Sequence, residues 1–283
     1  MLKVLNPGFY TTMQDLGRLG FRAFGVPVSG VMDSYSSQFA NALLGNNKFD
    51  AVLEMTMIGG TFRFMNPTQI VISGAYMRSR LNNKPIGQNC AIQIETDDVL
   101  SFGHTTKGFR TYLAIKGGFE SETVFNSLSQ YRPITAKGVI ETNDVITYLS
   151  IDQRLQESNA TVKYNDSIFN NQILEAYKGP EFGCLNLHQK EQLLNSELKV
   201  SKYNNRMAYQ LEPLLKNRLE PILTAPVLPG TVQLTPQGNL IVLMRDAQTT
   251  GGYPRILQLS EESISLLSQK TVGNTLKIGL KDT

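Results

Sequence analysis

The sequence predicts a mainly β protein with a few helices, in the α+β class, and three observations predict it. Between Ala51 and Tyr148, short apolar runs rich in Val, Ile and Phe alternate with turns rich in Gly, Asn, Pro and Asp. Helical spacing of apolar residues is confined to a few short stretches. No apolar run is long enough to span a bilayer.

Taken in order, Leu2 to Leu5 is a short strand and Thr11 to Arg18 a polar loop. Gly25, Pro27 and Gly30 keep the backbone irregular until Asp33 or Ser34 caps a helix. Its apolar positions Tyr35, Phe39, Ala42 and Leu43 recur at helical spacing, and Gly45 stops it. Strands follow at Val52 to Met57, Thr61 to Phe64, Ile70 to Ser73, Ala91 to Ile94, Val99 to Phe102, Arg110 to Ile115 and Val145 to Tyr148. Beyond them lie a strand at Ile173 to Tyr177, a short helix at His188 to Ser196 and a strand at Leu198 to Tyr203. Thr231 to Leu234 and Leu240 to Met244 are strands. Ser260 caps a helix with early acids before the closing strand Thr275 to Leu280.

The polar stretch Asp152 to Asn171 lacks apolar periodicity and reads as a connection between lobes. This gives an N-terminal β-rich lobe over 1–155, a polar connection over 156–171 and a C-terminal β-rich lobe over 172–283.

Composition excludes several classes of function. The 27 basic residues are scattered and the net charge is +3, so the phosphate-tracking stripe that nucleic-acid binding needs is absent. Pro7-Gly8 breaks the N-terminus before a signal-peptide core could form, which reads as a cytoplasmic chain with no membrane association. Cys90 and Cys184 are far apart, which gives no disulfide framework. Cys184-x-x-x-His188, with His104 and Cys90 as remote partners, is too sparse for a four-coordinate centre, and no metal is expected. The sequence has no Gly-x-x-x-x-Gly-Lys-Ser/Thr phosphate loop, dinucleotide fingerprint or Gly-x-Ser-x-Gly elbow. It also lacks the Ala-Met-Lys-Met signature of biotin attachment.

Two loops carry the candidate chemistry. In the first, Gln14 and Asp15 offer an amide and a carboxylate, and Arg18 can grip a substrate carboxylate through two parallel hydrogen bonds. In the second, which follows the apolar run Leu240 to Met244, Gln248, Thr249 and Thr250 can bond a carbonyl or ring amide. The backbone amides of Gly251 and Gly252 there suit a developing oxyanion. Tyr253 either closes the pocket or packs beneath the loop. Asp33 reads first as a helix cap and second as a site acid. Glu54, set among apolar neighbours, either pairs with a cation, for which Arg206 is a candidate, or faces a cleft. Asp15, Gln248 and Thr249 are the catalytic candidates. Gln14, Arg18, Glu54, Arg206, Thr250, Gly251, Gly252 and Tyr253 are the substrate-binding ones.

The ordered segments Thr11-Thr12-Met13-Gln14-Asp15-Leu16-Gly17-Arg18, Gly25-Val26-Pro27-Val28-Ser29-Gly30-Val31-Met32-Asp33, Leu53-Glu54-Met55-Thr56, Arg110 to Gly118, Arg206-Met207 and Pro229-Gly230 to Pro254 carry a family resemblance. The chain resembles the carboxyltransferase domain, subdomains C and D, also called allophanate hydrolase subunit 2. That family includes parts of urea carboxylases, the C subunit of bacterial ATP-dependent 5-oxoprolinase, and the Bacillus regulator KipA. The resemblance implies cyclophilin-like β-barrel lobes. It also implies work in a heteromeric complex with A-like and B-like (KipI-like) subunits on a small acidic or amide substrate.

The leading expectation from this resemblance is a 5-oxoprolinase subunit that helps open 5-oxoproline to glutamate. This chain alone would bind no cofactor, and ATP would be held by another subunit. The alternatives are a biotin-dependent carboxyltransferase half, which brings in biotin, and a KipA-like regulator of a kinase inhibitor. The sequence departs from the family pattern at three places. Asn204-Asn205 and Ala208 replace Ser-Asp and Gly around Arg206-Met207, Tyr76 replaces an acid, and Gln130-Tyr131-Arg132-Pro133 replaces a glycine-rich stretch.

Overall fold

Strands with one apolar face need a second layer to bury it, and this chain builds such an arrangement twice. The structure, a computed structural model describing residues 1–150 and 162–281, divides into one unit of Met1–Arg18 with Ser29–Phe169 and another of Leu19–Val28 with Asn170–Thr283. Residues 156–161 of the expected polar connection lie outside the described residues, as do residues 151–155 before them. The segment Leu19–Val28 belongs to the second unit although it sits near the start of the sequence. A boundary drawn on composition cannot express that.

The strands of the first unit are β1 (Leu2–Asn6), β2 (Tyr10–Gln14), β3 (Val52–Thr56), β4 (Thr61–Phe64), β5 (Thr68–Met77), β6 (Arg80–Leu81), β7 (Lys84–Pro85), β8 (Ala91–Ile94), β9 (Val99–Ser101), β10 (Thr105–Ile115), β11 (Phe119–Glu120) and β12 (Val145–Tyr148). They form a seven-stranded sheet, β11-β12-β1-β4-β9-β6-β7, and a five-stranded sheet, β2-β3-β10-β5-β8. Leu2, Val4, Phe62 and Phe64 of the first sheet meet Leu53, Met55, Ile72 and Leu113 of the second in one core. Because successive side chains alternate across a strand, Val52, Val71, Tyr112 and Ala114 face the other way. There they pack with Val31, Ala40 and Leu44 around helix α1 (Ser34–Leu43). Glu54 shares that helix-side face, which places a carboxylate in the layer beneath α1.

Asp33 caps α1, its side chain accepting from Ser36 N at 3.0 Å, so the capping role is the one it fills. The expected polar loop at Thr11 to Arg18 is corrected in part, because Tyr10–Gln14 is strand β2, paired with β3 from Tyr10↔Thr56 to Gln14↔Val52. Thr and Met suit a strand, and their polar neighbours are buried within it.

In the second unit, a short helix α2 (Ser167–Asn170) at the division leads to β13 (Ile173–Lys178), α3 (Leu187–Asn195), β14 (Leu198–Asn204), β15 (Ala208–Glu212), β16 (Ala225–Pro226), β17 (Thr231–Leu234), β18 (Leu240–Leu243), β19 (Thr250–Gly251), β20 (Arg255–Leu259), α4 (Glu261–Ser268) and β21 (Thr275–Leu280). Seven of these strands close a barrel in the order β13-β20-β17-β18-β15-β14-β21. Parallel pairing of β13 with β21, Leu174↔Ile278 among its rungs, completes the ring. Asn186 and Gln189 form a capping box on α3, and Ser260 caps α4. The mainly β class with few helices therefore holds, with one lobe a closed barrel and the other a pair of facing sheets. Among the described residues no helix is long and apolar enough to cross a membrane.

Candidate functional site

Asp15 follows β2 and collects four donors. Its Oδ1 accepts from Gly17 N (2.8 Å), Ser127 Oγ (2.7 Å) and Ser129 Oγ (2.6 Å), and its Oδ2 from Leu128 N (2.7 Å). A carboxylate offers about four lone-pair sites, two on each oxygen, and three of these donors crowd Oδ1 while one reaches Oδ2. Asp15 clamps the Ser127–Ser129 segment to the end of β2.

Gln14 is fully buried and donates to Thr12 Oγ1 (3.0 Å) and Gln130 O (3.1 Å). Gln130, one of the departures from the family pattern, extends the edge of β2. Its side-chain Oε1 accepts from Met13 N (2.9 Å) and its own N donates to Met13 O (2.9 Å). Arg18 is also fully buried and donates to Ser129 O. In this structure one terminal nitrogen of its guanidinium is given to the protein's own backbone.

Glu54 shows how buried acids are used in this unit. It lies opposite Thr12 on one side and Tyr112 on the other. Its Oε2 accepts from Met32 N (2.7 Å) and Tyr112 Oη (2.9 Å), and Oε1 lies 3.8 Å from Arg110 Nε. Tyr112 Oη in turn accepts from Asp33 N at 2.8 Å. Burial, then the charges of Glu54 and Asp33, hold the Tyr112 phenol well above its ordinary pKa, so it stays a neutral donor. Glu54 and Arg110 are 1% and 3% exposed, which makes an ion pair of high cost to break. The expected partner of Glu54, Arg206, is thereby corrected: register across the sheet selects Arg110, and Arg206 belongs to the other unit.

The Ser29–Asp33 segment is held against this network by a glycine. Gly30 has φ +89°, and a Cβ there would meet Gly17 N at 2.9 Å. Val31 N donates to Asp15 O at 2.8 Å, so the backbone of this segment lies directly against that of Asp15–Gly17.

In the second unit Arg206 forms a two-pronged pair with Asp246, Nε to Oδ2 at 2.8 Å and Nη2 to Oδ1 at 3.1 Å. Asp246 N also donates to Arg206 O at 2.9 Å. This pair fixes the start of the Gln248 loop, and its planar fork is the geometry in which arginine excels. Asn205 Oδ1 accepts from Met207 N (2.8 Å) and Ala208 N (3.0 Å). Asn205 thus caps the turn that carries Arg206 and Met207 with an uncharged side chain.

The Gln248–Tyr253 loop is less enclosed. Thr250–Gly251 pairs with Ala225–Pro226 as a two-stranded ribbon, β16 with β19. Thr249 O accepts from Val227 N (3.1 Å), and Gly252 O from Ile222 N (2.9 Å). A Cβ on Gly251 would fall 2.4 Å from Gln233 Nε2, so close packing accounts for that glycine. Thr250 and Tyr253 are exposed. Gln248 and Thr249 are half-buried, and Arg22 Nη2 donates to Thr249 O at 3.3 Å.

Several residues of these two constellations escape sequence reasoning. Ser127, Ser129, Arg110 and Tyr112 are brought in by pairing register and by a long connection, neither of which leaves a local signal. Asp246 was in plain view at the head of the Gln248 loop, and its position beside Arg206 needed the barrel. Cys90 and Cys184 are exposed free thiols. Among the described residues no group of three His, Cys, Asp or Glu side chains comes together. Cys184 instead lines an open cleft of about 760 Å³ with Asn186, Lys216, Asn217 and Arg218.

A two-sheet unit, a closed barrel and polar loops secured by buried ion pairs define a class, and residues 24–279 match the family model for the carboxyltransferase domain, subdomain A and B. The chain belongs to that carboxyltransferase-domain family; the subdomain letters are A and B where the sequence resemblance pointed to C and D. It is 31% identical over 282 residues to the 5-oxoprolinase C subunit of Escherichia coli (strain K12), covering 98% of this chain and 90% of that one. Its fold is similar to the crystal structure of K. lactis urea amidolyase, with TM-score 0.85 and 26% identity over 98% of this chain and 18% of the other. It is similar in fold also to TTHA0988, with TM-score 0.87 and 23% identity, where it covers 99% of this chain and spans 55% of that one.

Proposed function

We propose that this chain is the C subunit of an ATP-dependent 5-oxoprolinase complex, opening 5-oxoproline to glutamate together with A-type and B-type subunits. The observation that carries this reading is the end-to-end likeness to the E. coli C subunit, which covers 98% of one chain and 90% of the other. Urea amidolyase, by contrast, is similar over 18% of its own length. A biotin-dependent carboxyltransferase half is the second reading, favoured by that structural likeness at 26% identity.

A lactam resists water because the nitrogen lone pair is delocalised into the carbonyl. In the proposed reaction the ATP γ-phosphoryl group passes to the amide oxygen and water adds to the activated carbon. The C–N bond of that adduct then opens to the free amine and leaves an acyl phosphate, from which a second water releases phosphate and the carboxylate. The sequence has no phosphate-loop motif, and the reading assigns the nucleotide to a partner subunit. This chain contributes polar side chains around a small acidic amide.

The test is 5-oxoproline-dependent ADP release by the complex of all three subunits. Turnover that disappears when this chain is withheld is the expected result. A correctly assembled complex that releases no ADP would overturn the reading and turn attention to a KipA-like regulatory role.

A further inference from the structure

Arg22 lies in the Leu19–Val28 segment, which groups with the second unit while its sequence neighbours on both sides belong to the first. Its Nη2 donates to Thr249 O at 3.3 Å, an oxygen already accepting from Val227 N at 3.1 Å. The other terminal nitrogen, Nη1, is buried and has no acceptor among the described residues. One residue along from Thr249, Gln248 Oε1 is buried and has no donor among the described residues. Buried polar atoms almost always find partners, and an unmade bond forfeits the whole desolvation of the group. Two such atoms beside one loop, a cationic donor and a neutral acceptor, have complementary needs.

The donor calls for an anion, since arginine keeps its charge at any ordinary pH; burial holds its pKa below the usual value, which makes a close counter-charge more favourable. The acceptor calls for an N–H. A small molecule that meets both offers a carboxylate and an amide N–H on one carbon. We infer that Arg22 and Gln248 form the binding site for an α-amido acid, with Arg22 holding the carboxylate and Gln248 Oε1 accepting the amide N–H. Both residues are half-buried, so neither side chain is wholly enclosed. Arg18, the arginine expected from sequence to grip the carboxylate, is wholly buried and bound to Ser129 O. 5-Oxoproline is an α-amido acid, and in naming it as the ligand the inference rests on the function proposed above.

The experiment measures KM and kcat of the complex of all three subunits for 5-oxoproline and for its carboxamide, which lacks the negative charge. Arg22→Gln is expected to raise KM for 5-oxoproline by roughly 10- to 100-fold, the scale of one charge-assisted hydrogen bond. It should leave KM for the carboxamide within about twofold, and Arg22→Lys should recover part of the loss. The unchanged carboxamide value also shows that the variant folds and assembles. An equal rise for both ligands would assign Arg22 to loop structure and overturn the inference. So would an unchanged KM for 5-oxoproline in a variant of an active complex, and in that case the proposed function would survive. A wild-type complex inactive on 5-oxoproline would overturn the function and the inference together.

Discussion

Around Asp15 four donors converge on one carboxylate, whereas Gln248 keeps an amide oxygen with no donor among the described residues. In the first unit the buried carboxylates are closed on their neighbours, Glu54 on Arg110, Tyr112 and Met32 and Asp15 on the Ser127–Ser129 segment, while Gln14 donates to Thr12 and Gln130 and keeps its own Oε1 without a donor among the described residues. In the second unit the Arg206–Asp246 pair anchors one end of a loop whose backbone is bonded through Thr249, Thr250–Gly251 and Gly252, while Gln248 Oε1 and the neighbouring Arg22 Nη1 lack partners among the described residues. The difference lies between the carboxylates of the first unit, whose bonds fix backbone positions, and the Gln248 loop, where a buried cationic donor and a buried acceptor both lack partners among the described residues.

The largest effect is expected where that contrast is sharpest. Glu54→Leu removes one partner of a buried ion pair and takes the acceptor from Met32 N and Tyr112 Oη. About 3–5 kcal/mol of unfolding free energy should be lost, read from the midpoint of urea denaturation. A loss under about 1 kcal/mol would show that the network is redundant and would dissolve the contrast between the units. Asp15→Asn follows, since its amide nitrogen would face donors in place of an acceptor. Around 2–4 kcal/mol is expected, with earlier proteolysis in the Ser127–Gln130 segment as the local readout.

The second unit has a buried charge of its own. Lys270 is 4% exposed, and burial lowers its pKa to about 8. In the unfolded chain a lysine titrates near pKa ~10.4. Between these two values the unfolded state holds a proton that the folded state has released, so this group's contribution to stability rises with pH across that window. At pH 7 both states are charged and the folded state bears the desolvation cost. Lys270→Met should therefore stabilise the chain by about 1–3 kcal/mol at pH 7 and flatten the rise between pH 8 and about 10.4. A variant less stable than the parent at pH 7 would show that the ammonium gains more from its surroundings than burial costs it.

Much of this architecture was legible in the sequence, and the exceptions share a cause. The strands at Thr61–Phe64, Ala91–Ile94, Val145–Tyr148, Thr231–Leu234 and Thr275–Leu280 appear as expected, because each is a short apolar run bounded by turn residues. Asp33 was readable as a cap because its helix follows at once. By contrast β2 was hidden, since Thr11, Thr12 and Gln14 are polar yet buried, and Gln130, which bonds Met13 and Gln14, and Ser129, which bonds Asp15, arrive from far along the chain. Arg255–Leu259 was missed as a strand because its apolar residues do not alternate. Within the candidate site, the two loops were identifiable from composition. The pairing of Glu54 with Arg110 was not, for it depends on Tyr112↔Glu54 register that no local pattern encodes.

The smallest effect on stability belongs to the residue that gives the second loop its character. Gln248→Ala removes a half-buried amide whose oxygen bonds to nothing among the described residues, so folding should change by no more than about 0.5 kcal/mol. If that oxygen accepts a ligand N–H, the same change should raise KM for 5-oxoproline by about 3- to 10-fold, the scale of one neutral hydrogen bond. The two measurements together decide which kind of loop this is. Lost stability with unchanged KM would make Gln248 a packing residue, and the second loop would then be as closed as the first. Unchanged stability with raised KM is the pattern of a group whose hydrogen bond is made only when a ligand arrives.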